Sequence, residues 1–545
     1  MEKRVIIAVI LCVGVLAAWT KLVPQPPAAL PAASAPAPVA PAAGDSGSTA
    51  ATPTAAVASQ PEQDTVVVTK DVRFVFSTTG GTLRHANLLD AKFRARPNDP
   101  SSGRDLVTTD EPQNAAFRTT FAGATFPPLG GSWQVSQPAP DVVSFVNENA
   151  DVRVEKRYRA DTTRYRLYLD VIVQNKTAKS QDHALLVSVA GRQDPNKKGG
   201  SFFSGGASNL SSVLCGMEDK VEREPVEKLG KDPIDKTGTV RWFGTDEKFF
   251  LLAAAPYPED APRERTCKGS PIDPTLPSVG EATLRFQSRT VAAHASTSYR
   301  FVLFAGPKII SELEAVRPGG IEINLDQSVD VSTKLSWVTR PILYLLKFFY
   351  SYVHNWGVAI ILLTLFIKML TFYFTQKSLL SAKKMQKLAP KMNAIKKKYE
   401  NDKQRQSVET MNLYKAHGVS PFGGCLPSLI QMPIWIALYS TLNYAVELYR
   451  APFIFHIHDL TDKDPFYITP LLMGGVMFLQ MRMSPASPDN DQQKTMQVMM
   501  PIMFTAFSLV LPAGLALYML TSYLIGILQQ LYVNYVDRKG SPATA

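Results

Sequence analysis

Hydrophobic and polar positions follow two unlike patterns along this chain. From about Thr65 to Asp330 the repeat is two. Tyr165, Leu167, Leu169, Val171 and Val173 alternate with Arg166, Tyr168, Asp170 and Gln174, and similar runs occupy 65–77, 142–146 and 282–303. Such a period puts successive side chains on opposite faces of half-buried antiparallel strands. Turn clusters at Thr79-Gly80-Gly81 and Gly130-Gly131, with a helical pattern only over 309–316, predict a large β-sandwich domain at 61–333.

Beyond it the pattern changes to long apolar runs. Residues 334–350 are apolar but carry Trp337, Tyr344, Tyr350 and three basic residues, which suits an amphipathic helix lying in a membrane interface. Within 351–375, the run Asn355–Thr375 supplies the ~20 residues that a helix needs to cross a ~30 Å hydrocarbon core. Four further transmembrane helices are expected within 418–536, at Pro421–Val446, Phe466–Met481, Val498–Leu511 and Leu515–Leu531. The last three reach only roughly 21 to 26 Å, which predicts a thinned bilayer around them.

The termini and the charge set a topology. Residues 1–21 begin MEKR and continue apolar to Trp19 without a small-x-small cleavage site, which predicts an uncleaved transmembrane anchor. Residues 22–60 are rich in Pro and Ala, a linker that buries too little apolar surface to fold. Eleven basic against three acidic residues give 376–417 a net +8, most of the whole chain's +11, and the basic tail 537–545 adds Arg538 and Lys539. Positive loops stay in the cytoplasm. Both termini are therefore expected inside, with the β-domain outside.

Within 376–417, Met385, Leu388, Met392, Ile395 and Tyr399 keep a 3-4 spacing, and Val408, Met411 and Tyr414 form a facing stripe. A helical hairpin kinked near Pro390 is expected, its charge suited to anionic lipid or ribosomal RNA. Of four cysteines, Cys215 and Cys267 fall in the external half. An oxidising compartment permits them to pair, and two free thiols fit the sequence equally.

One residue stands out chemically. Lys368 lies inside the apolar run at 355–375, where a cation costs roughly 2.5 to 3.5 kcal/mol and usually faces protein or water. Thr364, Thr371 and Thr375 share its helical face. A second polar face, Ser428, Gln431 and Trp435, appears on the next span. A snorkelling Lys is the structural alternative. No GxxxxGK phosphate loop occurs, so nucleotide chemistry and cofactors are not expected.

Five signals stand together in the membrane half: Asn355-Trp356-Gly357, the cation at Lys368, the basic hairpin, SPFGGCLPSLIQMPIWIALY at 420–439 and LPAGLALY ending at Tyr518. By these motifs it resembles the YidC-type membrane-protein insertases. The resemblance implies a polytopic helical protein with a five-helix groove, open to cytoplasm and lipid and closed outside. It further implies that the groove inserts nascent membrane proteins, alone or beside the Sec translocon. It places Lys368, Thr364 and residues of the last helix near Tyr518, such as Ser522, in that groove; the polar faces add Thr371, Thr375, Ser428, Gln431 and Trp435 as candidate groove residues. Two departures stand out. Many members carry Arg at the cation position, and Met519 stands where a second Tyr is common.

Two rival classes remain. A transporter built around Lys368 lacks the internal repeat of many transporters and leaves the basic hairpin without a role. A membrane-anchored periplasmic sugar-binding protein or enzyme would draw on His85, His183 and His294, but no acid and base stand at motif spacing. Neither an enzyme nor a small-molecule substrate is expected.

Overall fold

The computed structural model describes residues 62–540 apart from short stretches, the longer being 195–209, 259–263, 330–335, 419–425 and 484–490. The expected anchor 1–21 and linker 22–60 lie outside the described residues, as does the end of the tail.

Alternation becomes burial in the β-domain. On the strand Arg166–Asn175, Leu167, Leu169, Val171 and Val173 are all buried. Four consecutive strands between Asp64 and Asp105 form one antiparallel sheet, and a network of 14 strands from Arg118 to Pro307 forms the rest of the sandwich. The turn at Gly80-Gly81 takes left-handed φ values of 71° and 54°, which glycine adopts without strain. A Cβ on Gly81 would stand 2.9 Å from that of Phe145. The fully buried Lys156 donates to the carbonyls of Gly80 (2.8 Å) and Gly81 (3.1 Å), tying the turn to the second sheet. Burial pushes its pKa down to about 7.

The long strand Ile234–Asp246 joins two layers. Its first half pairs with Glu264–Pro271 and its second with Ser212–Met217. Cys267 and Cys215 sit on those two partners, buried and bonded, with Cα atoms 6.0 Å apart.

One short helix, α1 (Ile310–Glu314), closes the β-domain. The helical half then comprises α2 (Ser336–Val353), α3 (Trp356–Lys387), α4 (Ala389–Lys398), α5 (Lys403–Ala416), α6 (Leu426–Tyr444), α7 (Ile468–Met483), α8 (Asp491–Ser508) and α9 (Ala513–Gly540). Amphipathic α2 buries Ile342, Leu343 and Leu346 against the bundle and exposes Trp337, Tyr344, Phe348 and Tyr352.

Several boundaries differ from the sequence reading. The helix carrying Lys368 does not stop at Thr375 but runs 32 residues to Lys387, because the Lys- and Gln-rich continuation favours helix as strongly as the apolar run does. The break falls at Leu388, with Pro390 in the first turn of α4, and Asp402 caps α5 after the turn. Tyr414 then meets Met392 across the hairpin. Finally α9 spans 28 residues, well beyond the short span expected, whereas α7 keeps 16, about 24 Å. Among the described residues only α3 and α9 are by themselves long and apolar enough to cross a membrane.

Candidate functional site

The bundle is packed at one end and loose at the other. At the end adjoining the β-domain, Ile360 and Leu363 of α3, Leu438 and Leu442 of α6, and Leu515 and Tyr518 of α9 form a continuous buried core with Leu460 and Leu511. Toward the hairpin that core stops. From Leu365 onward α3 exposes Leu365, Met369, Leu370 and Phe372, and on α6 burial falls away between Ile436 and Gln431.

The packed end is sealed by residues of the Asn355-Trp356-Gly357 motif. Asn355 caps α3, its Oδ1 accepting from the Val358 amide at 3.1 Å, and its Nδ2 donates to the Phe453 carbonyl at 3.2 Å. Trp356 stacks on Tyr350 with ring centroids 4.0 Å apart. Gly357 leaves room for the Phe453 ring, which a Cβ would approach to 2.0 Å. Residues 451–462 thus lie as a lid across α3, held at α9 by Ala513 N donating to Asp462 O (2.7 Å) and Gly514 N to Leu460 O (2.9 Å).

Lys368 sits where packing gives way. It is half-buried, and its ammonium has no hydrogen-bond or ion-pair partner among the described residues. The threonines sharing its face are spent on their own helix. Thr364 Oγ1 donates to Ile360 O (2.7 Å), Thr371 to Ile367 O (2.9 Å) and Thr375 to Thr371 O (2.9 Å). Back-bonding of this kind satisfies hydroxyls without aiming them at a partner. Lys368 therefore holds the stripe's uncommitted polar group.

Other predicted residues divide. Gln431 of α6 and Tyr518 of α9 meet, the amide donating to the buried hydroxyl. Trp435 stacks near Tyr439 at 5.9 Å, and its buried indole N–H has no partner among the described residues. Ser522 is buried on α9, as is Met519. The side chain of Ser428 and the start of the 420–439 motif lie outside the described residues.

Sequence reasoning missed the buried amides of α9. Gln529 donates to Phe372 O on α3 and Gln530 to Met483 O on α7, each at 3.3 Å, fastening three helices at the loose end. An amide pair inside an apolar run was the available signal. In the β-domain, His85 bonds Asp105 and His183 bonds Tyr299, while His294 occupies a left-handed turn, so the three histidines do not converge. No group of three metal-binding side chains occurs among the described residues.

These features define a polytopic helical membrane protein with an appended β-sandwich, its bundle packed at the β-domain end and more open around Lys368. Residues 348–539 match the family model described as 60Kd inner membrane protein, and residues 64–345 match the YidC periplasmic domain. Membrane protein insertase YidC of Syntrophus aciditrophicus is 35% identical over 488 residues, covering 87% of this chain and 86% of that one. The same protein of Geotalea daltonii is 34% identical over 553 residues, covering 98% and 99%. A solved YidC insertase with its first transmembrane domain resolved covers 87% of this chain and 93% of its own at 19% identity, with a TM-score of 0.39. The chain belongs to the YidC family of membrane protein insertases, inner-membrane proteins with a periplasmic domain. The transporter and sugar-binding readings gain no support from it.

Proposed function

We propose that this chain inserts and helps fold inner-membrane proteins through a groove that opens to cytoplasm and lipid and is closed on the periplasmic side. The observation that carries this reading is the one-sided packing: a dense core and lid at the β-domain end, and exposed helix faces around Lys368 at the hairpin end.

Partitioning supplies the driving force. The basic hairpin receives an emerging apolar segment from the ribosome or from anionic lipid, and Lys368 draws in a short acidic tail through a medium where charge attraction is weakly screened. With the cell interior negative, each acidic charge moved outward gains about 2.3 kcal/mol per 100 mV. The apolar segment then leaves sideways into lipid, alone or beside the Sec translocon. Lys368 and Gln431 border this path, with Thr371, Thr375, Ser428 and Trp435 extending it, while Thr364, Tyr518 and Ser522 are buried behind its wall; both termini face the cytoplasm.

The test is site-specific photocrosslinking during synthesis of a single-span client. Probes at Gln431 and Thr371 are expected to capture the client's apolar segment, and a probe at lipid-facing Leu472 of α7 is not. Equal capture at all three positions would contradict a defined groove.

A further inference from the structure

The turn that follows α6 faces two cores at once. Val446 is buried in the core of the β-domain, with Tyr444 and Tyr449 packed against it. Ala445, Leu448 and Ala451, interleaved with them, belong to the core of the helical bundle. Ile310 of α1 packs against both cores. A segment that merely connected two spans would have no reason to divide its side chains in this way.

The β-domain holds this turn by aromatic packing and by hydrogen bonds. The Tyr449 ring lies among Phe249, Phe250 and Phe93, with centroids 5.1, 5.6 and 6.1 Å away. Arg450 takes a left-handed φ of 50°, a conformation that costs a non-glycine residue energy, and its guanidinium donates to the carbonyls of Arg94 and Ala95. Lys92 Nζ donates to Glu447 O at 2.8 Å, while the Glu447 carboxylate pairs with Lys347 of α2 at 2.5 Å. Lys248 stands 3.4 Å from the Asn443 side-chain oxygen at the end of α6.

The turn runs directly into the lid. Ala451 O accepts from Leu460 N (3.0 Å), and Phe453 N donates to Ile457 O (3.0 Å), so the lid's first rung is laid on the residue that follows Arg450. Lifting the lid off Asn355 and Gly514 therefore moves the turn, and moving the turn draws Tyr449 out of its aromatic pocket. We infer that the periplasmic β-domain is the bolt of the groove's periplasmic seal: it docks on residues 444–451 of its own chain, and that docking holds the 451–462 lid shut. The inference rests on the closed periplasmic end proposed above, and it gives the β-domain a task within the insertase.

The test reads the seal directly, in full-length protein with Cys12 and Cys425 replaced by Ser and with Ser440→Cys as reporter. Ser440 is buried on α6 near its periplasmic end. A membrane-impermeant maleimide is added from the periplasmic side of spheroplasts. The otherwise unaltered chain is expected to react slowly, as is Tyr449→Phe. Tyr449→Ala combined with Arg450→Ala should react faster by about tenfold, which is about 1.4 kcal/mol on a local opening equilibrium. Lys92→Ala combined with Phe93→Leu loosens the same seam from the β-domain side and should do likewise. Formation of the Cys215–Cys267 bond, read by mobility without reductant, verifies that the β-domain is folded in each variant. Slow reaction in both double variants would overturn the bolt while leaving the closed groove standing. Fast reaction in the unaltered chain would overturn the closed end itself.

Discussion

Gln431 on α6 donates its side-chain amide to the hydroxyl of Tyr518 on α9, so two helices of the groove are joined where the packed core ends. Tyr518→Phe keeps the ring's packing and removes the acceptor, leaving the half-buried Gln431 amide without this partner at a cost of about 0.5–1.5 kcal/mol. Client insertion and melting temperature are both expected to fall. In a double-mutant cycle with Gln431→Ala, the two losses should be clearly less than additive. Fully additive losses would show that the pair does not act as a unit.

Asn355 has two separable tasks. Its Oδ1 caps α3 and its Nδ2 holds the lid at Phe453. Asn355→Ala should cost about 1 kcal/mol for the lost cap, and more for the lid contact. Asn355→Asp retains a capping acceptor and loses the donor. Thermal denaturation in detergent should therefore rank wild type above Asp and Asp above Ala; equal melting of Asp and Ala would deny the cap any role.

Burial, with Arg289 nearby, lowers the His183 pKa to about 4. The folded state thus binds no proton at this site between about pH 6.5 and 4, whereas the unfolded chain does. Stability is therefore complete above the unfolded value and is lost as pH falls through that window, by about 3 kcal/mol. The β-domain transition, followed by tryptophan fluorescence, should move to lower temperature from pH 7 to pH 4.5. In His183→Gln that slope should be shallower, and an unchanged slope would assign acid sensitivity elsewhere.

Cys215 and Cys267 are separated by 52 residues. In the chain-entropy model a loop of that size contributes about 4 kcal/mol by constraining the unfolded state. Replacing both residues by Ala should lower the denaturant midpoint of the β-domain and leave the helical bundle's own transition in place. A midpoint indistinguishable from wild type would contradict a stabilising bond.

The sequence was most legible where one physical rule dominates. Half-buried strands must alternate, so Leu167 to Val173 declared their strand, and a cation inside an apolar run declared Lys368. Asn355 and Gly357 were visible only as a motif, because the lid they hold lies about a hundred residues further along. Tyr449 and Arg450 read as part of an ordinary connection, since their partners Phe93, Arg94 and Phe250 sit in another domain. The polar stripe misled in one respect: periodicity shows which residues share a face, and it does not show that Thr364, Thr371 and Thr375 bond back to their own helix.

The most direct test of the insertase mechanism is insertion of a single-span client with a short acidic tail into proteoliposomes carrying wild type, Lys368→Arg, Lys368→Ala or Lys368→Glu. A charge held in the groove predicts that Arg supports insertion, that Ala and Glu lose it, and that an uncharged tail narrows the difference. Insertion by the Glu variant at the wild-type rate would contradict the account.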